Sequence, residues 1–333
     1  MPAAFAPANC CRADQSGQYR FKRKGRLKLY LSIGSIIIDD IVLPDGSTHM
    51  YTLGGGTTHA AMGMRVWSEG VRPISGIGSD FQEEQVALLG QYFDPQGLFR
   101  RAMPNPRAWQ LFDEDGTRTE VFRTSYDAVL AINPQPDEVP LDILSAAGVH
   151  LQSHSPQPSL SWIDRLQAAG NPYILFEPWD NYCVPENMED FTQISGRCDA
   201  VSPNLGEARL LTGLWEPLDV IARLLQTGVP LVALRMGADG SLIASQSGDL
   251  LTVPAIKVEK IVDVTGAGNA FCGGWITGMV ETGSLAEASR RAAISASLAI
   301  EQYGALYALD GLPSRVEARL ALAVPSTFSP GQA

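Results

Sequence analysis

The stretch Asp263-Val-Thr-Gly-Ala-Gly-Asn-Ala-Phe-Cys-Gly-Gly274 (DVTGAGNAFCGG) carries the strongest local signal in the chain. Gly266 and Gly268 allow a tight turn that presents backbone N–H groups at the start of a helix. Together with the helix dipole, such N–H groups stabilise negative charge, for example on a phosphoryl group. A lone G-x-G is more often a closely packed strand-to-helix turn that binds nothing. The longer string is what supports a functional interpretation.

The residues on either side complete a strand–turn–helix unit. Residues 257–262 read as a strand that leads into the glycines. Phe271, Trp275 and Met279 follow at intervals of four, which predicts an amphipathic helix with one apolar face.

Strand and helix signals alternate along the rest of the chain. The glycines at 54–56 precede a helix of small residues, and Leu160, Ile163 and Leu166 have helical spacing. This alternation predicts an α/β fold, in which helices cover both faces of a mostly parallel sheet. The segments predicted to be strands are residues 27–38, 73–78, 148–154, 172–178, 199–204 and 230–237.

Two segments interrupt the alternation and resemble hairpins. One lies near 40–53, with a turn at Pro44-Asp45-Gly46, and the other lies near 107–124, with a turn between Asp113 and Gly116. We expect them to form a small β-layer beside the main sheet. No linker divides the chain, so one domain is predicted over residues 26–325. Residues 1–25 are predicted to be a flexible extension and residues 326–333 a tail.

Composition narrows the class of function. The 333 residues are 45% hydrophobic and 18% charged, and the formal charge of −11 disfavours binding to nucleic acid or to an anionic membrane. The five cysteines lack metal-ligand spacing, which indicates a reduced, cytoplasmic setting. No apolar run reaches the roughly 18 residues of a membrane span, and the first residues lack the pattern of a secretory signal. The predicted partners are small molecules.

The stretch quoted first resembles the C-terminal signature of the ribokinase-like (PfkB) sugar kinases, D-T-x-G-A-G-D-x-F. Val264 replaces the threonine, and Asn269 replaces the last aspartate. Further family landmarks follow in the expected order across roughly residues 27–306. They are Gly34 to Asp39, Gly54 to His59 (where the family commonly has asparagine at 59), Asn204 to Glu207 (N-x-x-E), Met236 to Gly240, and Ala292 to Gly304.

The resemblance implies a three-layer α/β/α sandwich with a mostly parallel central sheet and a β-lid. It also implies ATP and Mg²⁺ as cofactors, with a monovalent cation such as K⁺ near Asp263. Each landmark then has an implied role. An anion hole would be formed by Gly266, Ala267 and Gly268, and Asn269 would contact the acceptor. The substrate would be faced by Asp39, Gly54, Gly55, Gly56 and His59, and Mg²⁺ would be organised by Asn204 and by Glu207 (Glu207 through water). The residues on the nucleotide side would be Gly237, Gly240, Asp263 and Thr265.

Simpler explanations exist for several of these residues. Asn204 and Glu207 have the spacing of a helix capping box, a role that is compatible with metal binding. Asp39 and Asp40 have the position of solvated acids at a strand end, and Gly237 and Gly240 that of ordinary turn residues.

Asn269 restricts what the site can do. In the family this position holds the general base, and an amide cannot accept the proton of an acceptor hydroxyl. Loss of a positioned base costs about 10²- to 10⁴-fold in rate, or roughly 3 to 5 kcal/mol. Three outcomes follow: a substitute base, an acceptor that is already ionised, or a nucleotide-binding protein without phosphoryl transfer. The candidate substitutes are Asp39, Asp40, His59, His154, Glu177 and Asp180.

The asparagine also marks a branch of the family. Phe176-Glu177-Pro178, Cys183 to Glu186 and Ser202-Pro203-Asn204 resemble a fungal branch that shares G-A-G-N and includes a yeast protein linked to killer-virus maintenance. The predicted function is ATP-dependent phosphoryl transfer to a small sugar-like or polar metabolite. The alternatives are a catalytically silent nucleotide-binding or scaffold protein, and an ATP-using enzyme of altered chemistry. The predicted state is a monomer or a lid-mediated homodimer, because exposed strand edges favour pairing.

Overall fold

The computed structural model describes residues 28–114, 118–153 and 156–328. The predicted extension at 1–25 and the candidate base His154 lie outside these ranges. The strands are β1 Tyr30–Ile33, β2 Ile37–Val42, β3 Thr48–Gly54, β4 Val71–Ile77, β5 Leu98–Arg100, β6 Arg107–Phe112, β7 Arg118–Phe122, β8 Gly148–Ser153, β9 Tyr173–Pro178, β10 Ala200–Val201, β11 Leu231–Arg235, β12 Ser241–Ser245, β13 Leu250–Val253 and β14 Ser326–Thr327. The helices are α1 Gly56–Arg65, α2 Glu83–Tyr92, α3 Tyr126–Ile132, α4 Leu141–Leu144, α5 Pro156–Ala169, α6 Met188–Ser195, α7 Leu205–Thr212, α8 Pro217–Leu225, α9 Ala267–Thr282, α10 Leu285–Ala299 and α11 Leu312–Leu320.

The large sheet has the order β14-β13-β12-β11-β10-β9-β8-β1-β4-β5. All neighbours from β11 to β5 pair in parallel, and β12, β13 and β14 complete one edge in antiparallel pairing. Consecutive strand residues alternate between two buried layers: Leu175 of β9 packs in one, and Ile174 and Phe176 pack in the other. Helices α1, α9 and α10 contribute to the first layer and α5 to α8 to the second, which confirms the predicted α/β/α sandwich.

The contact between α1 and α9 depends on two glycines that bring the helix backbones together. A side chain at Gly63 would collide with the backbone of Ala270, and one at Gly273 with the backbone of Ala60 and Met64. Helix α9 is buried over most of its circumference between Ala270 and Gly278. The prediction of an amphipathic helix there was wrong, because α1 and α10 cover the faces that the sheet leaves free.

The predicted small β-layer is present as a second sheet in the order β3-β2-β6-β7. Strand β2 pairs antiparallel with β3 and parallel with β6, and β6 pairs antiparallel with β7. Asp40, whose side chain is fully buried, joins these strands through ion pairs with Arg107 (2.8 Å) and Arg123. Burial opposes ionisation of Asp40, but these pairs and the Tyr51 N–H hold its pKa below the usual value. We call this sheet the lid.

Four local predictions need correction. The apolar run 27–38 is not one strand, because the chain turns between β1 and β2 and passes from the large sheet into the lid. The segment 257–262 has no strand hydrogen bonds, and only two residues of the predicted strand 199–204 pair. In the predicted tail, Ser326–Thr327 pairs with β13. Among the described residues, no helix is both long and apolar enough to span a membrane.

Candidate active site

A cavity of ≈ 230 Å³ opens where the parallel strands end. The carboxyl ends of neighbouring parallel strands share one edge of a sheet, and ligands commonly bind there. Residues at or just after the ends of β1, β8, β9, β10 and β11 line one side: Ser35, Gln152, Glu177, Asn204 and Arg235. The first turns of α1 and α9 lie across from them, and the lid contributes Asp39, Arg118 and Glu120.

Most of the predicted site residues meet in this cavity. Those that line it are Asp39, Gly55, Gly56, His59, Asn204, Glu207, Thr265, Gly266, Gly268 and Asn269. Gly54, Ala267, Asp263, Gly237 and Gly240 do not. Asp263 instead accepts a hydrogen bond from the Thr265 N–H at 2.7 Å, which fixes the loop before α9. Gly237 and Gly240 form the turn between β11 and β12.

Gly266 caps α9 with φ 73° and lies against the ring of His59. A Cβ at position 266 would overlap that ring, so glycine is required here by both conformation and space. His59 is 3% exposed, and burial together with the charge of Arg118 lowers its pKa to about 4. The ring is therefore neutral at physiological pH, and Nε2 has no hydrogen-bond partner among the described residues.

Asn269 is part of a buried hydrogen-bond network centred on Glu177. Asn269 Nδ2 donates to Glu177 Oε2 at 2.8 Å, and His150 Nε2 lies 2.6 Å from the same oxygen. Ser32 Oγ contacts the other ring nitrogen of His150 at 3.0 Å, and Arg235 pairs with Glu177 Oε1 at 2.8 Å. Burial alone would raise the pKa of Glu177, but Arg235, His150 and Asn269 lower it to about 2. Glu177 is therefore a fixed anion and a weak base.

Asn204 and Glu207 form the expected capping box at the start of α7. Asn204 Oδ1 accepts from the Glu207 N–H at 2.8 Å, and Glu207 Oε2 accepts from the Asn204 N–H at 2.6 Å. Burial raises the pKa of Glu207 to about 8; Arg235 opposes this rise, and a hydrogen bond with Asp180 adds to it. The buried Glu207 carboxyl and the exposed Asp180 carboxyl therefore lie side by side at the edge of the cavity.

Of the two adjacent acids in β2, only Asp39 lines the cavity. Its carboxyl accepts a hydrogen bond from Gln110 Nε2 at 2.9 Å, and Gln110 also bonds Glu120 and Arg118 of the lid. Burial raises the pKa of Asp39 to about 7, a value that lets this carboxyl exchange protons near neutrality. Asp40, by contrast, is neutralised by two arginines and points away into the lid.

The structure separates the candidate bases. Asp39 and Asp180 line the cavity and form no ion pair with an arginine of the described ranges, whereas Glu177 and Asp40 are paired and His59 is buried in its neutral form. Arg235, His150, Gln110 and Gln152 were not predicted to belong to the site. A signal for Arg235 existed: it is a charged residue directly after an apolar strand, at the edge where sites of this architecture form.

The sequence is similar to proteins of a known kinase family. The pfkB family carbohydrate kinase model matches residues 104–311. The chain is 26% identical to an uncharacterised protein of Schizosaccharomyces pombe, over 83% of this chain and 85% of the relative, in agreement with the predicted fungal branch. It is also 26% identical to the cytidine kinase of Thermococcus kodakarensis, over 82% of this chain and 96% of that enzyme.

A crystal structure described as ribokinase II from Escherichia coli, in complex with ATP and Mg²⁺, shares the fold with a TM-score of 0.72 and 21% identity. The alignment covers 88% of this chain and all of that one (100%). Because the matched family region spans more than half of the sequence, this chain belongs to the pfkB family of carbohydrate kinases.

Proposed function

We propose that this protein transfers the terminal phosphoryl group of ATP to a small, polar, sugar-like metabolite. The observation that carries the proposal is one cavity bounded by the start of α9 at Gly266 to Asn269 and by Gly55, Gly56 and Asp39. The first N–H groups of a helix have no intrahelical carbonyl partner, so the start of α9 suits a phosphate group. The Asp39 carboxyl and the lid side chains of Arg118 and Glu120 face it across a space that fits a small polar molecule.

The sugar-like class of the acceptor is supported by the side chains on the lid side. Asp39 and Glu120 offer acceptors and Arg118 offers donors to the cavity, and hydrogen bonds with the buried Gln110 hold all three in place. Trp179, which stacks on Tyr126 at 5.3 Å, supplies an apolar wall of the kind that packs against a ring. Most of the predicted substrate residues are therefore retained in the proposal, with Gly54 acting indirectly because a side chain there would displace the Asp39 carboxyl.

Asn269 positions the acceptor but does not deprotonate it. Since Nδ2 donates to Glu177, the amide is turned so that Oδ1 is the atom left to accept a hydrogen bond from an acceptor hydroxyl. To be deprotonated, the hydroxyl must turn its single proton from Oδ1 toward another group, and Asp39 fits that role best because its pKa lies near 7 and it lines the cavity. This assignment explains how the fold tolerates an amide at the family's base position.

Mg²⁺ fits the residues at the start of α7. Glu207, Asp180 and Asn204 provide carboxylate and amide oxygens, which are the ligands that Mg²⁺ prefers, often through water. Burial of Glu207 and its hydrogen bond with Asp180 raise the pKa of Glu207, so a bound cation would favour the ionised form of this carboxyl. When bound with ATP, the ion would neutralise phosphate charge.

The first test is titration of the purified protein with Mg²⁺-ATP by calorimetry, followed by a phosphoryl-transfer assay on a panel of sugars and nucleosides. We expect micromolar to millimolar binding and ADP formation that depends on one class of acceptor. Binding without turnover on any acceptor would favour a silent nucleotide-binding protein. Absence of both heat and thermal stabilisation would refute the proposal.

A further inference from the structure

Arg235 is held in the cavity by only one edge of its guanidinium group. Its side chain is 12% exposed. Nε and Nη2 donate to the carbonyl oxygen of Ser202 at 3.2 and 2.8 Å, and Nη2 also pairs with Glu177 at 2.8 Å and with Glu207 at 3.5 Å. Nη1 has no hydrogen-bond partner within the described part of the chain, yet it is not sealed from solvent. Its N–H groups are unused donors.

The unused Nη1 donors lie beside the start of α9. Nη1 occupies the place where a side chain at Gly268 would begin, directly beside the first turn of α9. Both residues line the same cavity. The guanidinium is rigid, and the contacts of its other edge fix the direction in which the Nη1 donors point. Charged donors and the positive end of a helix therefore converge on one point of the cavity wall.

A second unpartnered group lies near the same turn. His59 is 3% exposed, its ring packs against Gly266, and its Nε2 lacks a partner among the described residues. Buried polar atoms without partners are rare in folded proteins, and a bound ligand, ion or water is one way in which such an atom gains the missing contact. The unused Nη1 donors and this ring nitrogen thus flank the two glycines at the start of α9.

We propose that Arg235 binds oxygens of the terminal phosphate group through Nη1, next to the backbone of Gly268. The inference rests on the proposed function and adds to it a phosphate-binding residue that no family motif predicted. Arginine suits this task because it stays protonated and its hydrogen bonds to phosphate are charge-assisted. Glu177 and Glu207 are then the residues that orient the guanidinium, and Gly268 is the residue that leaves room for it.

The test measures Kd for Mg²⁺-ATP, inorganic tripolyphosphate and adenosine by calorimetry. Removal of Arg235 alone would leave Glu177 as an unpaired buried charge, so the main variant is the double substitution Arg235→Met with Glu177→Gln. We expect the affinity for tripolyphosphate and Mg²⁺-ATP to fall about 10- to 100-fold, the effect of losing charged hydrogen bonds, with adenosine unaffected. Arg72→Met with Asp94→Asn, which removes a 2.6 Å ion pair outside the cavity, should leave all three affinities unchanged.

Arg235→Lys provides a second measurement that preserves the charge, should the double variant fail to fold. A lysine ammonium cannot pair with Glu177 and also reach Gly268, so we expect at least about a fivefold loss of tripolyphosphate affinity. The role of Arg235 is disproved, while the proposed function stands, if the wild-type protein binds Mg²⁺-ATP and every Arg235 variant that folds binds it with the same affinity. If wild-type protein binds neither Mg²⁺-ATP nor tripolyphosphate, the proposed function fails first.

Discussion

Asn269 and Glu177, which are 92 positions apart in sequence, are joined by a hydrogen bond of 2.8 Å from Nδ2 to Oε2. Only a donor can occupy position 269 in this arrangement, because the Glu177 carboxyl is ionised and fixed by Arg235 and His150. The asparagine is therefore structurally matched to its surroundings. It does not simply represent an aspartate that has lost its charge.

Asn269→Asp should consequently impair the protein and not restore a general base. Two carboxylates about 3 Å apart cannot both ionise, so the folded state loses roughly 1 to 3 kcal/mol at pH 7. The companion substitution Glu177→Gln should recover most of this loss, because the glutamine amide can donate to the introduced carboxylate and the net charge is that of the wild type. Urea denaturation of the wild type, both single variants and the double variant measures the coupling. Additive effects in this cycle, or an Asn269→Asp protein as stable as wild type, would contradict the account.

Asp39→Asn tests the proposed proton acceptor. The substitution preserves size and one hydrogen bond with Gln110 but removes the group that exchanges a proton near pH 7. We expect kcat to fall by about 10²- to 10⁴-fold, with KM for ATP little changed. The wild-type rate should rise with pH through the range set by a pKa of about 7, and the variant should lack that rise. A full rate in Asp39→Asn would instead favour Asp180 or an acceptor that is already ionised.

The fold and half of the site were accessible from sequence because they depend on local chemistry. Glycine turns, apolar strands and the capping box between Asn204 and Glu207 act over a few residues, and parallel strands bring their ends to one edge. The Glu177 network was not accessible, because Ser32, His150, Glu177 and Asn269 come from distant segments.

Two errors have a similar origin. The run 27–38 is mostly apolar, and its interruption at Gly34-Ser35, where the chain leaves the large sheet for the lid, is compatible with the interior of one strand. Helix α9 has apolar spacing on one face, but its small residues on other faces are equally buried because α1 and α10 approach them closely. In both cases the tertiary packing decides the structure, and the local sequence pattern does not.

His59 should make stability depend on pH in mildly acidic solution. Its pKa is about 4 in the folded protein, against 6.5 for an ordinary histidine, so the unfolded chain binds the extra proton between these values. Stability should therefore rise with pH from about 4 to 6.5, by at most about 1.4 kcal/mol per pH unit from this residue. His59→Asn removes the titrating ring and should flatten that part of the curve. Parallel curves for wild type and variant, from urea denaturation across this range, would show that the ring does not titrate as described.

The contribution of Glu207 to stability should depend on pH in the direction opposite to that of His59, and Glu207→Gln tests this. The pKa of Glu207 is about 8 in the folded protein and 4.5 ordinarily, so its contribution is fully present below pH 4.5 and is lost as pH rises toward 8. Glutamine preserves the capping box but cannot ionise. In the absence of nucleotide, the variant should gain stability relative to wild type between pH 5 and 8, while its stabilisation by Mg²⁺-ATP decreases. A stability difference that is constant over this pH range would refute the raised pKa.

Gly266→Ala isolates the contact between the start of α9 and His59. Gly266 and Gly311 are both N-caps in the left-handed conformation, with φ 73° and 71°, so alanine strains the backbone to the same extent at either position, by about 1 kcal/mol. A Cβ at 311 meets open space, whereas one at 266 overlaps the imidazole ring. The Gly266 variant should therefore lose a further 1 to 3 kcal/mol, roughly the cost of overpacking, and should bind Mg²⁺-ATP at least about tenfold more weakly. Gly311→Ala should bind normally. Because the backbone strain is the same in both variants, any difference between their losses of stability and affinity reports the overlap of the new methyl group with His59. Equal losses in the two variants would mean that the contact between Gly266 and His59 matters for neither stability nor Mg²⁺-ATP binding.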